Sequence, residues 1–252
     1  RLMPMDVAAD RLAAAETGND KAATARARMA LHMSRYYEEA RQLSLLITKA
    51  SKKLDEKIVV VTGGGPGIME AGNRGASEAG GPSIGLNIVL PHEQEPNAYI
   101  TPRLCFQFHY FALRKMHFLL HARALVAFPG GFGTLDELFE TLTLTQTGKS
   151  RRRPIVLVGR EFWTRLIDFD WLIETGMIGA QDVDLFRFVE TAEEAWDVLA
   201  AEYGFDPPVL RDLGGDAGGL LRPDTFRPTL VLLLGAIVRF AQSRIRGPLL
   251  LA

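Results

Sequence analysis

Residues 127–137 read Ala127-Phe128-Pro129-Gly130-Gly131-Phe132-Gly133-Thr134-Leu135-Asp136-Glu137. Just before them, Ala124-Leu125-Val126-Ala127-Phe128 is a short apolar run that reads as a buried strand. Beyond them, Leu138, Phe139, Leu142 and Leu144 give a helical apolar pattern. The glycines therefore stand where a strand hands over to a helix, the place where open parallel sheets bind their ligands. Glycines at 130, 131 and 133 let backbone N–H groups approach an anion closely, and a helix N-terminus adds partial positive charge. Phosphate is the expected guest. Thr134 and Glu137 also have the spacing of a capping box, which marks a helix start and needs no ligand.

A second unit of the same kind lies upstream. Residues 57–62, Lys57-Ile58-Val59-Val60-Val61-Thr62, form a strand by their β-branched content. The strand runs directly into Gly63-Gly64-Gly65-Pro66-Gly67, and Ile68-Met69-Glu70-Ala71 begins a helix. Pro66 suits a first helical turn, where its missing N–H has no partner to lose. The loop is not a Walker A motif, because no Gly-Lys-Ser/Thr follows, and it is not a regular dinucleotide fingerprint. Two such loops converge on one crevice, so a shared anionic ligand is expected.

Bulk properties narrow the classes. The chain has 252 residues, 47% hydrophobic and 23% charged, which suits one large α/β domain with appendages. A net charge of -1 gives no reason to expect nucleic acid or an anionic membrane as partner. The single cysteine, Cys105, allows no intrachain disulfide and fits a reducing cytoplasm. His117 and His121 stand four apart on an expected helix but lack an acidic third ligand, so no metal site is expected. No signal peptide is visible, and the apolar run at 230–238 is too short to span a bilayer.

Taken in order, residues 1–23 form a polar, alanine-rich lead and 24–53 a helix. Further strands are expected at 84–90, 104–108, 154–159 and 185–189, with helices at 68–79, 110–122, 134–146, 162–172 and 191–203. The repeated strand–helix order implies a Rossmann-like, doubly wound α/β fold: a mostly parallel sheet with helices on both faces. The nucleotide-binding domain is drawn at 24–206. Residues 207–252 read as a glycine-rich linker followed by a helical tail.

The motifs resemble those of the Lonely Guy family of cytokinin riboside 5'-monophosphate phosphoribohydrolases. Residues 129–134 with Glu137 match PGGxGTxxE. Residues 63–71, continued by Asn73-Arg74-Gly75-Ala76, match the family's earlier glycine loop. Arg114-Lys115-Met116 precedes Glu137 at the family spacing, 137 − 114 = 23 residues. The resemblance covers about residues 58–200. It implies a homodimer that hydrolyses the N-glycosidic bond of a purine nucleoside 5'-monophosphate, giving free base and ribose 5-phosphate. Substrates of that kind are AMP or a cytokinin riboside monophosphate, and no metal or redox cofactor is implied. One departure is visible. The family opens with a strand and a Gly-Ser turn, whereas residues 26–35 here are helical in texture and lack glycine.

Glycosidic cleavage builds positive charge on the ribose ring, and a carboxylate beside the anomeric carbon stabilises it or activates water. Glu137 is the candidate, one helical turn beyond the phosphate loop. Arg114 is assigned to the ribose phosphate or the departing base. Gly130, Gly131, Gly133 and Thr134 are assigned to phosphate. Gly64, Gly65 and Gly67 line the crevice, Glu70 is set against the ribose hydroxyls, and Lys115 is a further phosphate candidate. Asp136 and Glu140 read as solvated helix residues. The competing reading is a regulatory module that binds nucleotide without cleaving it.

Overall fold

A computed structural model of the chain describes residues 2–54, 57–89, 95–120 and 122–203, together with the backbone of 229–234. The chain begins with α1 (Met5–Glu16) and the long α2 (Lys21–Lys53). Asp20 starts α2 by accepting the N–H groups of Ala22 and Ala23 at 2.8 and 3.0 Å. Then come β1 (Ile58–Thr62), α3 (Ile68–Glu78), β2 (Ser83–Ile88), β3 (Cys105–Phe108) and α4 (Phe111–Leu119). They are followed by β4 (Ala124–Ala127), α5 (Phe132–Gln146), β5 (Ile155–Val158), α6 (Arg160–Leu166) and α7 (Phe169–Glu174). The last elements are β6 (Arg187–Val189), α8 (Ala192–Tyr203) and β7 (Thr229–Leu234).

The seven strands make one sheet in the order β3-β2-β1-β7-β4-β5-β6, and every pair is parallel. Alternate side chains of each strand go to opposite faces. Val60, Val126 and Val156 join one core with Tyr37, Leu43 and Ile47 of α2, Ala71 of α3 and Trp196 of α8. Val61, Leu125 and Leu157 join the other with Phe118 of α4, Leu138 of α5 and Trp163 of α6. Both faces are therefore covered, which is why the strands read as unbroken apolar runs. The doubly wound parallel sheet is as the sequence implies.

These two cores also show where the chain changes side. The helix after β1 packs on the first face, and the helix after β4 packs on the second. The strands β1 and β4 flank β7, so the two glycine loops leave the sheet on either side of it, at a topological switch point.

Several expectations change. The tail was expected to be helical, yet residues 229–234 form the central strand, paired with β1 through Ile58↔Thr229 and with β4 through Ala127↔Leu234. A continuous apolar run does not distinguish buried strand from buried helix. The rest of 207–252 lies outside the described residues. The alanine-rich lead contains α1, which packs on α2. The helix expected at 162–172 breaks into α6 and α7, because Asp168 accepts the Trp171 N–H at 2.9 Å and caps a new start. Most of the strand expected at 185–189 is shortened to Arg187–Val189 behind a 3₁₀ turn at Ala180–Leu185.

Candidate functional site

The helix after β4 starts three residues earlier than its capping signature implies. Gly131 is its N-cap, with no side-chain cap, and Thr134 already lies inside the first turn. Glu137 is thereby released from any capping role. Its side chain is carried one turn further and is 6% exposed. No described residue donates a hydrogen bond to its carboxylate. Burial pushes its pKa from the ordinary 4.5 up to about 7, and the nearby Arg114 guanidinium pulls the other way. A buried carboxylate poised near neutrality can take up and release a proton at working pH, which makes Glu137 a candidate for proton chemistry.

Arg114 reaches this place from α4. Its Nε donates to the Leu86 carbonyl at 2.9 Å, and its guanidinium lies 4.6 Å from the centre of the Phe118 ring. Burial holds its pKa below the ordinary arginine value, while Glu137 opposes the shift. Arg114 ties α4 to β2 through that carbonyl, and it acts on Glu137, in the second turn of α5, through its charge.

Lys115 also lowers the Glu137 pKa by its charge, but it is engaged with other carboxylates. Its ammonium pairs with Asp136 at 2.9 Å and Glu140 at 2.6 Å. It is engaged in tying α4 to α5, and those two acidic residues are its partners rather than merely solvated. Phe106 and Phe108 pack partly against the second core. Tyr110, just beyond them, is 67% exposed.

The phosphate loop divides into two kinds of glycine. A side chain at Gly130 would meet the Thr134 hydroxyl at 2.2 Å, so Gly130 is demanded by packing. Gly131 and Gly133 would meet nothing within 4 Å. No protein contact demands glycine there, and the open space in front of them is room for a guest at the backbone. Gly131→Ala is accordingly expected to melt within about 2 °C of the parent. The same variant should weaken phosphate or nucleotide binding about tenfold in calorimetric titration. Unweakened binding would remove the guest from this spot.

The first glycine loop is held by a buried polar network. The Thr62 hydroxyl donates to Asn73 Oδ1 at 2.6 Å and accepts the Gly64 N–H at 3.0 Å. Asn73 Nδ2 donates to the Ser83 hydroxyl at 3.0 Å. Gly64 has φ +74°, and a side chain there would strike the Asn87 amide at 2.5 Å. Asn97 completes the network, and no sequence pattern pointed to it. Glu70 turns toward α2, where it accepts the Tyr37 hydroxyl at 2.8 Å. It lines a cavity of about 380 Å³ with Pro66, Gly67, Arg11 and residues 2–4. Glu70 and Glu137 thus belong to helices on opposite faces of the sheet. Residues 90–94 lie outside the described residues.

Among the described residues no group of three metal-ligating side chains occurs, and no helix is long and apolar enough to cross a membrane.

Fold and site define a doubly wound α/β protein with two glycine loops at its switch point and, beside the second, a buried Glu137 within electrostatic reach of the half-buried Arg114. The model of the family described as "Possible lysine decarboxylase" matches residues 69–199, just over half of the chain, and the chain belongs to that family. Among curated proteins, it is 29% identical over 140 residues to cytokinin riboside 5'-monophosphate phosphoribohydrolase LOG3 of Arabidopsis thaliana. That match covers 54% of this chain and 63% of the relative. The LOG7 protein of the same plant is 28% identical over 177 residues, covering 68% of this chain and 76% of the relative. The chain thus spans less than two-thirds of the LOG3 relative's length. Among solved structures, the molybdenum cofactor carrier protein of Chlamydomonas reinhardtii aligns with a TM-score of 0.46 at 21% identity, over 68% of this chain and 89% of that one.

Proposed function

We propose that this protein hydrolyses the N-glycosidic bond of a purine nucleoside 5'-monophosphate, AMP or a cytokinin riboside monophosphate, to free base and ribose 5-phosphate. The observation that carries the reading is Glu137, buried, without a hydrogen-bond donor, titrating near 7 and next to Arg114. The similarity to cytokinin riboside monophosphate phosphoribohydrolases supports it.

In this reading the phosphate lies on the N–H groups of Gly130, Gly131 and Gly133, with the Thr134 side chain behind them. The dipole of α5 adds to that attraction. The ribose then lies over the first turn of α5. As the bond from the anomeric carbon to the base nitrogen lengthens, positive charge grows on the sugar. The Glu137 carboxylate stabilises this charge and takes a proton from the attacking water. Water supplies hydroxide to the anomeric carbon and, in balance, a proton to the base. Arg114 keeps Glu137 ionised and faces the phosphate or the leaving base. Gly64, Gly65 and Gly67 form the opposite wall. Glu70 is left with the ribose hydroxyls, reached from the cavity beside Pro66 and Gly67. Lys115 has no direct part. The decarboxylase name finds no support, since no lysine sits in a recognisable cofactor setting.

A second copy of the chain is part of the proposal. Phe111, Met116 and Leu120 of α4 and its flank, with Phe132 of α5, are 54, 54, 67 and 91% exposed, an unusual load of large apolar groups. A cytoplasmic location belongs to the same reading, in keeping with the single cysteine.

The test is chromatographic. Purified protein is incubated with AMP and with isopentenyladenosine monophosphate, with adenosine and ATP as controls, and its mass is taken by sedimentation. Base released from monophosphates by a dimer is the expected result. Monophosphate bound without base release would replace hydrolysis by the regulatory-module reading, and a monomer would remove the second copy.

A further inference from the structure

We infer that Asn97 is a positioning residue that presents the backbone N–H of Gly65 as the anion donor of the first glycine loop. The inference rests on reading that loop as one wall of an anion site. It assigns the donor within the loop and the residue that aims it.

Asn97 lies outside every motif, in the segment between β2 and β3. Its backbone N–H donates to the Gly64 carbonyl at 2.8 Å. Its side-chain amide donates to the Gly64 carbonyl, the Gly65 carbonyl and Asn73 Oδ1 at 3.0, 3.0 and 2.9 Å. Its amide oxygen accepts the Tyr99 N–H at 3.2 Å. That last bond fixes which end of the amide faces the loop, because the reverse setting would put oxygen against two carbonyl oxygens.

These bonds determine what each glycine has left to offer. The Gly64 N–H is already given to Thr62. The peptide joining Gly64 to Gly65 is planar and trans, so its C=O and N–H point in opposite directions. With two donors from Asn97 on the Gly64 carbonyl, the Gly65 N–H must point away from Asn97. No described residue accepts it. The next peptide has its carbonyl turned to Asn97 as well, and its nitrogen belongs to Pro66, which has no proton to offer. Among residues 64–66 the loop therefore keeps one N–H that is turned away from Asn97 and has no described acceptor, and Asn97 sets its direction. An oxyanion is the ligand chemistry that fits: a phosphate oxygen, free or on a nucleotide.

Without the Asn97 amide, the Gly64 carbonyl would keep one donor and the Gly65 carbonyl none. Rotation of the 64–65 peptide would then be cheap, since glycines flank it. The site would lose aim rather than composition.

The experiment uses the intact, ¹⁵N-labelled chain titrated with inorganic phosphate. Its readouts are the Gly65 amide resonance and, separately, base release from AMP. Phosphate should move the Gly65 amide among the largest changes. Asn97→Ala should weaken phosphate about tenfold, as expected for one misaligned charge-assisted bond. Asn97→Asp has the same shape but puts oxygen where the donor was, so it should displace the Gly65 resonance and weaken phosphate at least as much. A purely structural role would perturb the α5 amides equally, whereas the positioning role leaves them in place. The inference fails if phosphate leaves Gly65 unmoved in the intact protein, or if folded variants bind phosphate as tightly as the parent. If neither variant folds, the Gly65 response of the intact protein decides. A Gly65 response with no base release would count against hydrolysis and leave the Asn97 assignment standing.

Discussion

Glu137→Gln is expected to stop base release and, in the same protein, to raise the melting temperature above pH 7. The first effect follows, on the proposed reading, from removing the carboxylate that balances charge on the ribose, and a loss of about 10³-fold in kcat is the expected scale. The second follows from burial. The folded protein holds the Glu137 proton up to about 7, while the unfolded chain releases it near 4.5. A raised folded pKa gives stability that is whole below 4.5 and is lost as pH rises through 7. The full gap corresponds to about 3 kcal/mol. Glutamine has no proton to lose, so its melting temperature should match the parent near pH 4.5 and exceed it by roughly 5–10 °C at pH 8. A helix cap or a solvated residue at 137 would show neither effect. Intact turnover would remove Glu137 from the chemistry, and a melting difference independent of pH would mean that its carboxyl is not held near 7.

Much of this arrangement was legible before any coordinates. The runs at 58–62, 124–127 and 155–158 are apolar because both faces of the sheet are covered. Their glycine exits are local features that a linear pattern shows well. Arg114 and Glu137 were found through their spacing, and the fold brings them into electrostatic reach.

Other features were hidden for particular reasons. Thr134 and Glu137 imitate a capping box, yet the helix begins at Phe132, because glycine at 131 serves as N-cap without a side chain. Only the true start frees Glu137. The strand at 229–234 could not be told from a helix, since its apolar residues have no period. It occupies the centre of the sheet, where no strand ahead of α2 was found in the sequence. Lys115 looked like a phosphate ligand because the acidic pair it meets lies on the next helix; the i, i+4 spacing of Asp136 and Glu140 was the available hint. Asn97 left no signal, because a side chain that bonds carbonyls needs only to be in the right place. Glu70 had a local explanation at the start of α3, whereas its partner Tyr37 is 33 residues away.

Arg114→Met should move the acid limb of the pH–rate profile upward. Of the described cations acting on the buried Glu137 carboxylate, Arg114 has the largest effect and is the main influence holding it as low as about 7. A cation favours the charged form, so removing it raises the Glu137 pKa further. A rise of about one unit would cut the ionised fraction at pH 7 from roughly a half to a tenth. Methionine preserves the apolar stem against Phe118 but leaves the Leu86 carbonyl without its donor, so a modest stability loss of about 1 kcal/mol is expected as well. The two roles of Arg114 separate at high pH. If it acts only by keeping Glu137 ionised, kcat/KM of the variant recovers toward the parent value at pH 9. If it also touches the phosphate or the leaving base, a deficit of about 10²-fold persists there, because that contact does not depend on Glu137. Arg114→Lys divides the same question by chemistry: it keeps a cation but loses the guanidinium fork, so it should restore the pH limb without restoring the high-pH rate. An unshifted limb in Arg114→Met would mean that burial alone sets the Glu137 proton. Arg114 would then be a bracket between α4 and β2, and the Arg–Glu pair would no longer support hydrolysis.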